Sequence, residues 1–487
     1  MHSILQIMGE STLKQKTASG LFWAALNNGA MQVLNAVIGI FLARLLTPAD
    51  YGLVGLLTIF TAIATCIQEG GFTSALANIK HPTDNDYNSV FWFSSILGIV
   101  LYCILFFCAP LIADFFHQPS LTVLSRVVFL SIPLSAIGIA PSAYLFKNLI
   151  VKQATIQRIG VLTFSGVIGV VLAFKGMAYW SLVAQSLSYV GLQSLLKFNI
   201  IPWRPSLHID FKPVRRMMSF SVKILITNII QTINNNVLTV IFGRLFPVKI
   251  VGNFTQAYKW NNMASTAISG MLAQVTQPVL VAVDDEADRQ LAILRKMIRF
   301  TAFLTFPCMF GLAIISKEFL VILISDKWLD AVPILQILCV SGAFFPIYNP
   351  LISLLLSHGK SDSYMWISLL QIALQTALIL LFAPYGILTM VAVYSCFAAL
   401  WTFVWFGVTD SISGYKLLMF LKDTVPFLAS AVLACSIAFF AGSFFHILIV
   451  SLLVKIVIAV IIYCAIMKIA HAKILDECIN YILKKKR

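Results

Sequence analysis

Charged residues are scarce in this 487-residue chain: they make up 11% of it, whereas about 25% is usual for soluble proteins. Hydrophobic residues make up 60%, and the mean hydropathy is +0.91, so there are too few polar side chains to cover a water-facing surface. This shortage excludes soluble, disordered and fibrous proteins. The short alternating segments of a membrane β-barrel are also missing, so the composition indicates an all-α polytopic membrane protein.

The sequence also lacks the motifs of metal, redox and hydrolytic chemistry. Its nine cysteines include no Cys-x-x-Cys pair, and no HExxH, GxSxG, P-loop or GxGxxG motif occurs in a usable context. We therefore expect no cofactor, no metal site and no catalytic residue. The net charge of +15 is explained by basic cytoplasmic loops, and no nucleic acid is expected as a partner. The first 16 residues contain Glu10 and only a short apolar patch, which predicts no signal peptide.

Fourteen apolar segments, each about twenty residues long, have the length of a transmembrane helix. They cover residues 20–43, 52–69, 88–112, 122–145, 157–174, 178–198, 218–243, 250–276, 298–323, 331–356, 363–384, 387–408, 424–442 and 446–467. The gaps between them are short and leave no room for an extramembrane domain. We therefore predict about 14 transmembrane helices.

Lysine and arginine are unevenly distributed between the segments that connect these spans. With the N-terminus in the cytoplasm, 24 of them fall on the cytoplasmic side, 7 on the outer side and 3 within spans. Basic residues accumulate in cytoplasmic loops. The distribution therefore predicts an even number of helices, with both termini in the cytoplasm.

An internal repeat relates two parts of the chain at an offset of 200 residues. The identities pair Asn28 with Asn228, Asn35 with Asn235, Arg44 with Arg244, Leu45 with Leu245 and Gly52 with Gly252. Six helices per copy with the same sidedness indicate a parallel repeat, in which two lobes are related by an axis along the membrane normal. We predict an N-lobe (residues 1–200), a basic cytoplasmic linker (201–216), a C-lobe (217–410) and two further C-terminal helices with a basic cytoplasmic tail (411–487).

Polar side chains form one stripe on each of four predicted spans. Such groups are costly in a membrane, so they face protein or water and mark functional sites. The stripes comprise Asn28, Gln32 and Asn35 in the first span, Thr58, Thr61, Thr65 and Gln68 in the second, Asn228, Gln231 and Asn235 in the seventh, and Thr255, Lys259, Asn262 and Thr266 in the eighth. Because these spans are repeat mates, we predict that the stripes line a hydrated cavity between the lobes. The alternative is that amides and hydroxyls only hold helices together.

The stripes suit a sugar, because amides and hydroxyls both donate and accept hydrogen bonds. Trp23, Tyr258 and Trp260 offer aromatic faces to pyranose rings. Lys223 and Lys259 add positive charge within the membrane, which favours an anionic ligand such as a lipid-linked pyrophosphate or a uronic acid. For Lys223 the alternative is a side chain that snorkels to the cytoplasmic face.

Four other charged positions lie at the ends of spans or within them. Glu69, at the end of the second span, is the candidate coupling-ion site, although an interfacial carboxylate is the commoner case. Arg44 and Arg244 end the first and seventh spans, where a cation complements the helix C-terminus. Lys455 lies within the fourteenth span and has no visible partner in the sequence.

Three stretches of the sequence resemble one family of membrane transporters. They are Ser-Gly-Leu-Phe-Trp at 19–23 with Ala-Arg-Leu-Leu-Thr-Pro-Ala-Asp-Tyr-Gly at 43–52, Ala-Tyr-Trp-Ser-Leu-Val-Ala-Gln at 178–185, and Lys-Trp-Leu-Asp-Ala-Val-Pro-Ile-Leu-Gln-Ile-Leu at 327–338. These stretches are similar to the polysaccharide transporter family of the multidrug/oligosaccharidyl-lipid/polysaccharide exporter superfamily. Members of this family are lipid-linked oligosaccharide flippases for O-antigen, colanic acid and teichuronic acid. The resemblance extends over about residues 17–410.

The resemblance implies a V-shaped molecule with two six-helix lobes around a central cavity, working by alternating access in the bacterial inner membrane. It implies a flippase for undecaprenyl-diphosphate-linked oligosaccharide repeat units of O-antigen, capsule or exopolysaccharide. Membrane lipids are then partners, and a polysaccharide polymerase and a chain-length regulator are candidate partners.

Two other functions are compatible with a polytopic membrane protein. A drug or metabolite cation antiporter of the same superfamily is the first, and the lack of an acidic residue in the first span argues against it. A membrane polysaccharide polymerase or ligase is the second. Such enzymes have a large outer loop that carries a catalytic arginine or histidine. The outer loops predicted for this sequence are short. We therefore expect a transporter and not an enzyme.

Overall fold

Helices form all the regular secondary structure in the part of the chain that the computed structural model describes, which is residues 29–283, 286–470 and 474–475. The helices are α1 (Gly29–Leu45), α2 (Pro48–Glu69), α3 (Phe72–Asn78), α4 (Asp84–Phe115), α5 (Leu121–Val128), α6 (Ser131–Ala136), α7 (Ile139–Lys147), α8 (Val151–Phe174), α9 (Tyr179–Leu196), α10 (Lys212–Leu245), α11 (Val248–Ala282), α12 (Ala287–Ile324), α13 (Val332–Ser357), α14 (Ser361–Leu381), α15 (Ile387–Ser413), α16 (Leu417–Ser443) and α17 (Leu448–Ile469). Short 3-10 helices follow α9, α12 and α14.

Local sequence fixes where two of the long helices begin. Thr47 precedes α2 and Thr83 precedes α4, and each is followed three residues later by an aspartate. In both cases the threonine hydroxyl accepts from the aspartate N–H while the aspartate carboxylate accepts from the threonine N–H, which is a capping box. Helix α2 ends at Gly70, whose φ of 52° is the left-handed conformation that glycine adopts without strain.

Ten of these helices are long and apolar enough to cross a membrane, and an eleventh span arises if the bent pair α5–α6 and α7 is counted as one. The prediction of an all-α polytopic membrane protein is confirmed. Helices α9 and α11 coincide with predicted spans but are not among the ten, and the described part of α1 is shorter than a full span. Amides on α11, such as Asn253 and Asn261, reduce its hydropathy. The count of fourteen remains a prediction.

The chain divides into two units, residues 1–252 and residues 253–487. In unit 1, α8 packs against α9, α2 packs against α10, and α4 packs against α5, α6 and α7. In unit 2, α12 packs against α13, α16 and α17, and α13 packs against α15. The predicted lobes with a boundary at residues 201–216 remain a prediction.

The predicted linker is a folded part of unit 1. Trp203 is buried in an aromatic cluster with Tyr87, at a ring distance of 6.0 Å. Ser206 donates its N–H to Asn88 Oδ1 at 2.9 Å and accepts from Trp92 Nε1 at 2.7 Å. The first turns of α4 therefore hold this segment through both apolar burial and hydrogen bonds.

Two glycines at repeat-related positions pack closely against the backbone of another helix within unit 1. A Cβ atom on Gly52 would lie 2.2 Å from the carbonyl oxygen of Val248, and a Cβ on Gly252 would lie 1.7 Å from that of Pro48. Because Pro48 and Val248 begin α2 and α11, each glycine packs against the first residue of the other helix.

Candidate functional site

The α2 stripe carries hydroxyls that are bonded to their own helix. Thr58 donates to the carbonyl of Gly55 at 2.6 Å, and Thr65 donates to that of Thr61 at 2.7 Å. Thr61 donates in turn to the carbonyl of Thr58 at 2.9 Å. Threonine hydroxyls keep acceptor lone pairs free in this arrangement. Thr58 is exposed and the other two are half-buried, so none of the three is fully enclosed by protein.

Within unit 1 the structure brings the α2 stripe beside α10. Thr58 Oγ1 lies 3.5 Å from Asn236 Oδ1, and Cys66 Sγ lies 3.1 Å from Thr232 Oγ1. Both α10 residues were missed in the sequence analysis, although each directly follows a predicted stripe residue. The run of three asparagines at 234–236 was the available signal.

The other predicted positions on α1 and α10 are accessible. Asn35, Asn228 and Asn235 are exposed, and Gln32 and Gln231 are half-buried. Asn28 and Trp23 lie outside the described residues. Lys223 belongs to α10, but its side chain lies outside the described part of the structure.

Gln68 and Glu69 lie at the end of α2 in different surroundings. Gln68 is completely buried and donates from Nε2 to the Ser135 hydroxyl of α6, while its Oε1 has no partner among the described residues. A ligand would reach Gln68 only if α2 and α6 separated. Glu69 is half-buried, and its negative charge acts on Lys197, which follows α9.

Unit 2 contributes Thr255, Lys259 and Asn262 from α11. Asn262 is exposed, and the other two are half-buried. The Lys259 ammonium lies 5.9 Å from the centre of the neighbouring Trp260 ring, and it makes no hydrogen bond or ion pair with any described residue. Trp260 itself is buried, with its ring edge against Phe319. Lys259 is therefore a half-buried cation without a counter-charge among the described residues.

Lys455, which had no visible partner in the sequence, forms a buried ion pair. Its Nζ lies 2.6 Å from Glu318 Oε1, and each residue exposes about a twentieth of its surface. The same oxygen accepts from the Ser451 hydroxyl at 3.0 Å. The pair joins α12 to α17, so Lys455 is already neutralised, unlike Lys259.

A second ionic cluster joins α12 to α16. Arg295 donates from Nε and Nη2 to the two carboxylate oxygens of Asp423, at 2.7 and 3.1 Å. Tyr415 donates its hydroxyl to the same carboxylate at 2.9 Å, and Arg299 lies 3.6 Å away. Burial and the negative charge of Asp423 raise the pKa of the Tyr415 hydroxyl, which therefore stays a donor.

An apolar groove of about 630 Å³ lies within unit 2, between α11, α12, α16 and α17. Phe303, Phe319 and Trp260 form part of its wall, and the exposed side chains of Ile456 and Val460 border it. The groove offers contact surface for an extended hydrocarbon and few polar groups. Among the described residues, no group of three or more His, Cys, Asp and Glu side chains could hold a metal ion.

Comparisons with known proteins place these features in context. A family model described as "Polysaccharide biosynthesis protein" matches residues 41–333. The chain is 24% identical over 358 residues to the lipopolysaccharide biosynthesis protein WzxC of Escherichia coli, covering 72% of each chain. It is 24% identical over 420 residues to the succinoglycan biosynthesis transport protein ExoT of Rhizobium meliloti, covering 86% of this chain and 83% of that one. Teichuronic acid biosynthesis protein TuaB of Bacillus subtilis is also 24% identical, over 73% of this chain and 74% of its own.

Solved structures share the fold at lower identity. The lipid II flippase MurJ, in an inward closed conformation, superposes with a TM-score of 0.76 at 14% identity, over 93% of this chain and all of the other. A multidrug resistance transporter of the MATE family, in an inward-facing conformation, gives a TM-score of 0.62 at 16% identity, over 78% of this chain and 96% of that one. At these identities the likeness shows a common fold.

Proposed function

The chain belongs to the family of polysaccharide biosynthesis proteins, and we propose its function on that basis. The predicted resemblance to the polysaccharide transporters is confirmed, and so is the expectation of a membrane transporter rather than an enzyme. We propose that this multi-pass bacterial membrane protein is a flippase. Its cargo would be an undecaprenyl-diphosphate-linked oligosaccharide repeat unit, moved from the cytoplasmic to the outer leaflet of the inner membrane.

The observation that carries this proposal is the state of Lys259. A cation within a membrane-spanning region is costly unless a counter-charge or water compensates it. Lys455 has Glu318 as its counter-charge, whereas Lys259 has no such partner among the described residues. An anionic substrate group would supply the missing charge, and the diphosphate of a lipid-linked saccharide has the required sign.

The polar stripes supply the part of the site that suits a saccharide. Thr58 and Thr61 retain acceptor capacity, and Asn35, Asn235 and Asn262 present exposed amides. Amides and hydroxyls satisfy sugar hydroxyls in either direction of hydrogen bonding. They do not select one sugar by charge, so the identity of the glycan would depend on the shape of the cavity.

The apolar groove of unit 2 supplies a surface for the lipid. A polyprenyl chain is a branched hydrocarbon, and groove residues such as Phe303 and Ile456 would contact it through dispersion and exclusion of water. We propose that part of the polyprenyl chain occupies this groove while the rest of the polyprenyl chain stays in the bilayer. Alternating access between the predicted lobes, residues 1–200 and 217–410, would carry the saccharide across.

The test is a gene deletion in the native host, complemented with the parent chain or with a Lys259→Ala variant. Deletion is expected to trap undecaprenyl-linked repeat units on the cytoplasmic leaflet and to abolish surface polysaccharide. Lys259→Ala should cause the same loss of surface polysaccharide while the variant protein stays at its normal abundance in the membrane. Lys259→Arg should restore part of the surface polysaccharide. The exposed Lys317 provides a matched control, since Lys317→Ala removes a lysine of α12 outside the proposed site.

Two results would contradict the proposal. Unchanged lipids together with new drug sensitivity would indicate a cation antiporter of the same superfamily. Equal loss of glycan and of membrane abundance in Lys259→Ala would assign that lysine a structural role.

A further inference from the structure

A second pocket in unit 1 combines positive charge with apolar walls. It has a volume of about 310 Å³ and is lined by residues of α3, α7, α8 and α9 and by Lys197. By the predicted topology, the ends of these helices that form it lie on the cytoplasmic side. None of the polar stripes contributes a residue to it.

Two cationic side chains line the pocket. Lys197 donates from Nζ to the Ser142 hydroxyl at 2.7 Å and to the Gly138 carbonyl at 3.4 Å. Arg158 is exposed and makes no hydrogen bond or ion pair with any described residue. Among the described residues, Glu69 is the one carboxylate whose charge bears on Lys197, and it does not line the pocket. The pocket therefore has an excess of positive charge.

The two cations act on each other, since the charge of Arg158 bears on Lys197. Two neighbouring cations repel each other, and an anion between them would relieve that repulsion. The arrangement thus favours a bound anion.

Neutral donors complete the surroundings of such an anion. Helix α8 begins at Val151 without a side-chain cap, so the first N–H groups of this 24-residue helix point to the pocket end of the helix. Thr155, one turn further on, exposes only 3% of its surface, and its hydroxyl has no partner among the described residues. The hydroxyl borders the pocket, where it can donate a hydrogen bond to an anion.

The apolar walls indicate what carries the anion. Leu145, Ile150 and Ala154 line the same pocket, and Phe146 exposes 63% of its surface beside it. A free inorganic anion gains nothing from such walls. A phosphate attached to hydrocarbon would pair with the cations and cover the exposed phenyl ring.

We propose that this pocket binds the phosphate of a lipid head group, between Arg158, Lys197, Thr155 and the N-terminus of α8. The inference is independent of the proposed role of Lys259 and of the cargo. Two lipids share the required chemistry, an anionic glycerophospholipid and a polyprenyl diphosphate.

The test is native mass spectrometry of the full chain, purified with phosphatidylcholine and then titrated with phosphatidylglycerol or with a polyprenyl diphosphate. Arg158→Gln should weaken binding by about tenfold or more, because it removes a charge-assisted hydrogen bond to the phosphate. Thr155→Val should weaken it less, with little effect on folding. Lys152→Gln is the matched control, because Lys152 is exposed on the first turn of α8 and does not line the pocket.

Preference for the polyprenyl diphosphate would make the pocket a loading site for lipid-linked substrate. Preference for phosphatidylglycerol would make it a phospholipid site, and either result supports the proposal. Equal affinity in the parent, Arg158→Gln and Thr155→Val chains, all with unchanged thermal stability, would overturn it.

Discussion

Replacing Lys455 by methionine tests the strongest ionic contact that the structure describes within a span. The substitution keeps the unbranched stem, which packs against Gly442, and removes the ammonium group. It leaves Glu318 with the Ser451 hydroxyl as its remaining partner, because the second carboxylate oxygen has none among the described residues. A carboxylate that exposes about a twentieth of its surface would then carry an uncompensated charge.

The magnitude follows from the burial and the geometry. The 2.6 Å contact between Lys455 Nζ and Glu318 Oε1 is short and charge-assisted, and Lys455 also donates to the Ile314 carbonyl at 3.1 Å. Breaking a buried ion pair by removing one partner costs about 3–5 kcal/mol. We expect that loss in the free energy of unfolding for Lys455→Met, and a similar loss for Glu318→Gln on its own.

The assay is a double-mutant cycle on the purified protein in detergent, with unfolding followed by helix content. The combined Lys455→Met and Glu318→Gln chain should recover most of the stability, because neither charge remains to be compensated. Two results would refute the reasoning. The first is a Lys455→Met chain within about 0.5 kcal/mol of the parent, and the second is a double variant whose loss equals the sum of the single losses.

Three further predictions concern other contacts. Asp423→Asn should lower the free energy of unfolding by roughly 3 kcal/mol, because it weakens a buried carboxylate contact with two arginines of α12; Asp410→Asn, at an exposed site, should change it little. Asn88→Ala should release the segment after α9, so limited chymotrypsin digestion after Leu207 should accelerate, and unchanged cleavage would contradict the fixed linker. Glu69→Gln should abolish any dependence of lipid flipping on an imposed proton gradient, and retention of that dependence would exclude Glu69 as the coupling site.

The spans could be predicted because their signal is local. Each apolar run lies in one stretch of sequence, and signals such as the threonine at 47 with the aspartate at 50 mark where a helix begins. The ion pair of Lys455 could not be found in this way, since Glu318 lies 137 residues away in the sequence. The local sequence around either residue does not indicate that the other is its partner.

The polar stripes were only partly predictable for a related reason. Helical period places Thr58, Thr65 and Gln68 on neighbouring parts of one face, yet Gln68 is buried against α6 while Thr58 is exposed beside α10. Periodicity identifies a face but not its neighbours. The lipid pocket shows the same limit, because Arg158 and Lys197 belong to different elements and were counted only as cytoplasmic basic residues.

The repeat-related glycines offer a test of the internal repeat as a packing feature. The offset of 200 residues pairs Gly52 in α2 with Gly252 in α11. The sequence alone did not indicate that Gly52 would pack against the first residue of α11 and Gly252 against the first residue of α2. A methyl group on Gly252 would lie 1.7 Å from the Pro48 carbonyl oxygen, which is backbone and cannot rotate away. Gly252→Ala should therefore lower the free energy of unfolding by about 1–3 kcal/mol or more. Gly270→Ala, in the same helix with no atom within 4 Å of its Cβ, should be neutral or stabilising by up to about 1 kcal/mol. Equal effects at the two sites would show that α2 and α11 do not approach each other as closely as this contact requires.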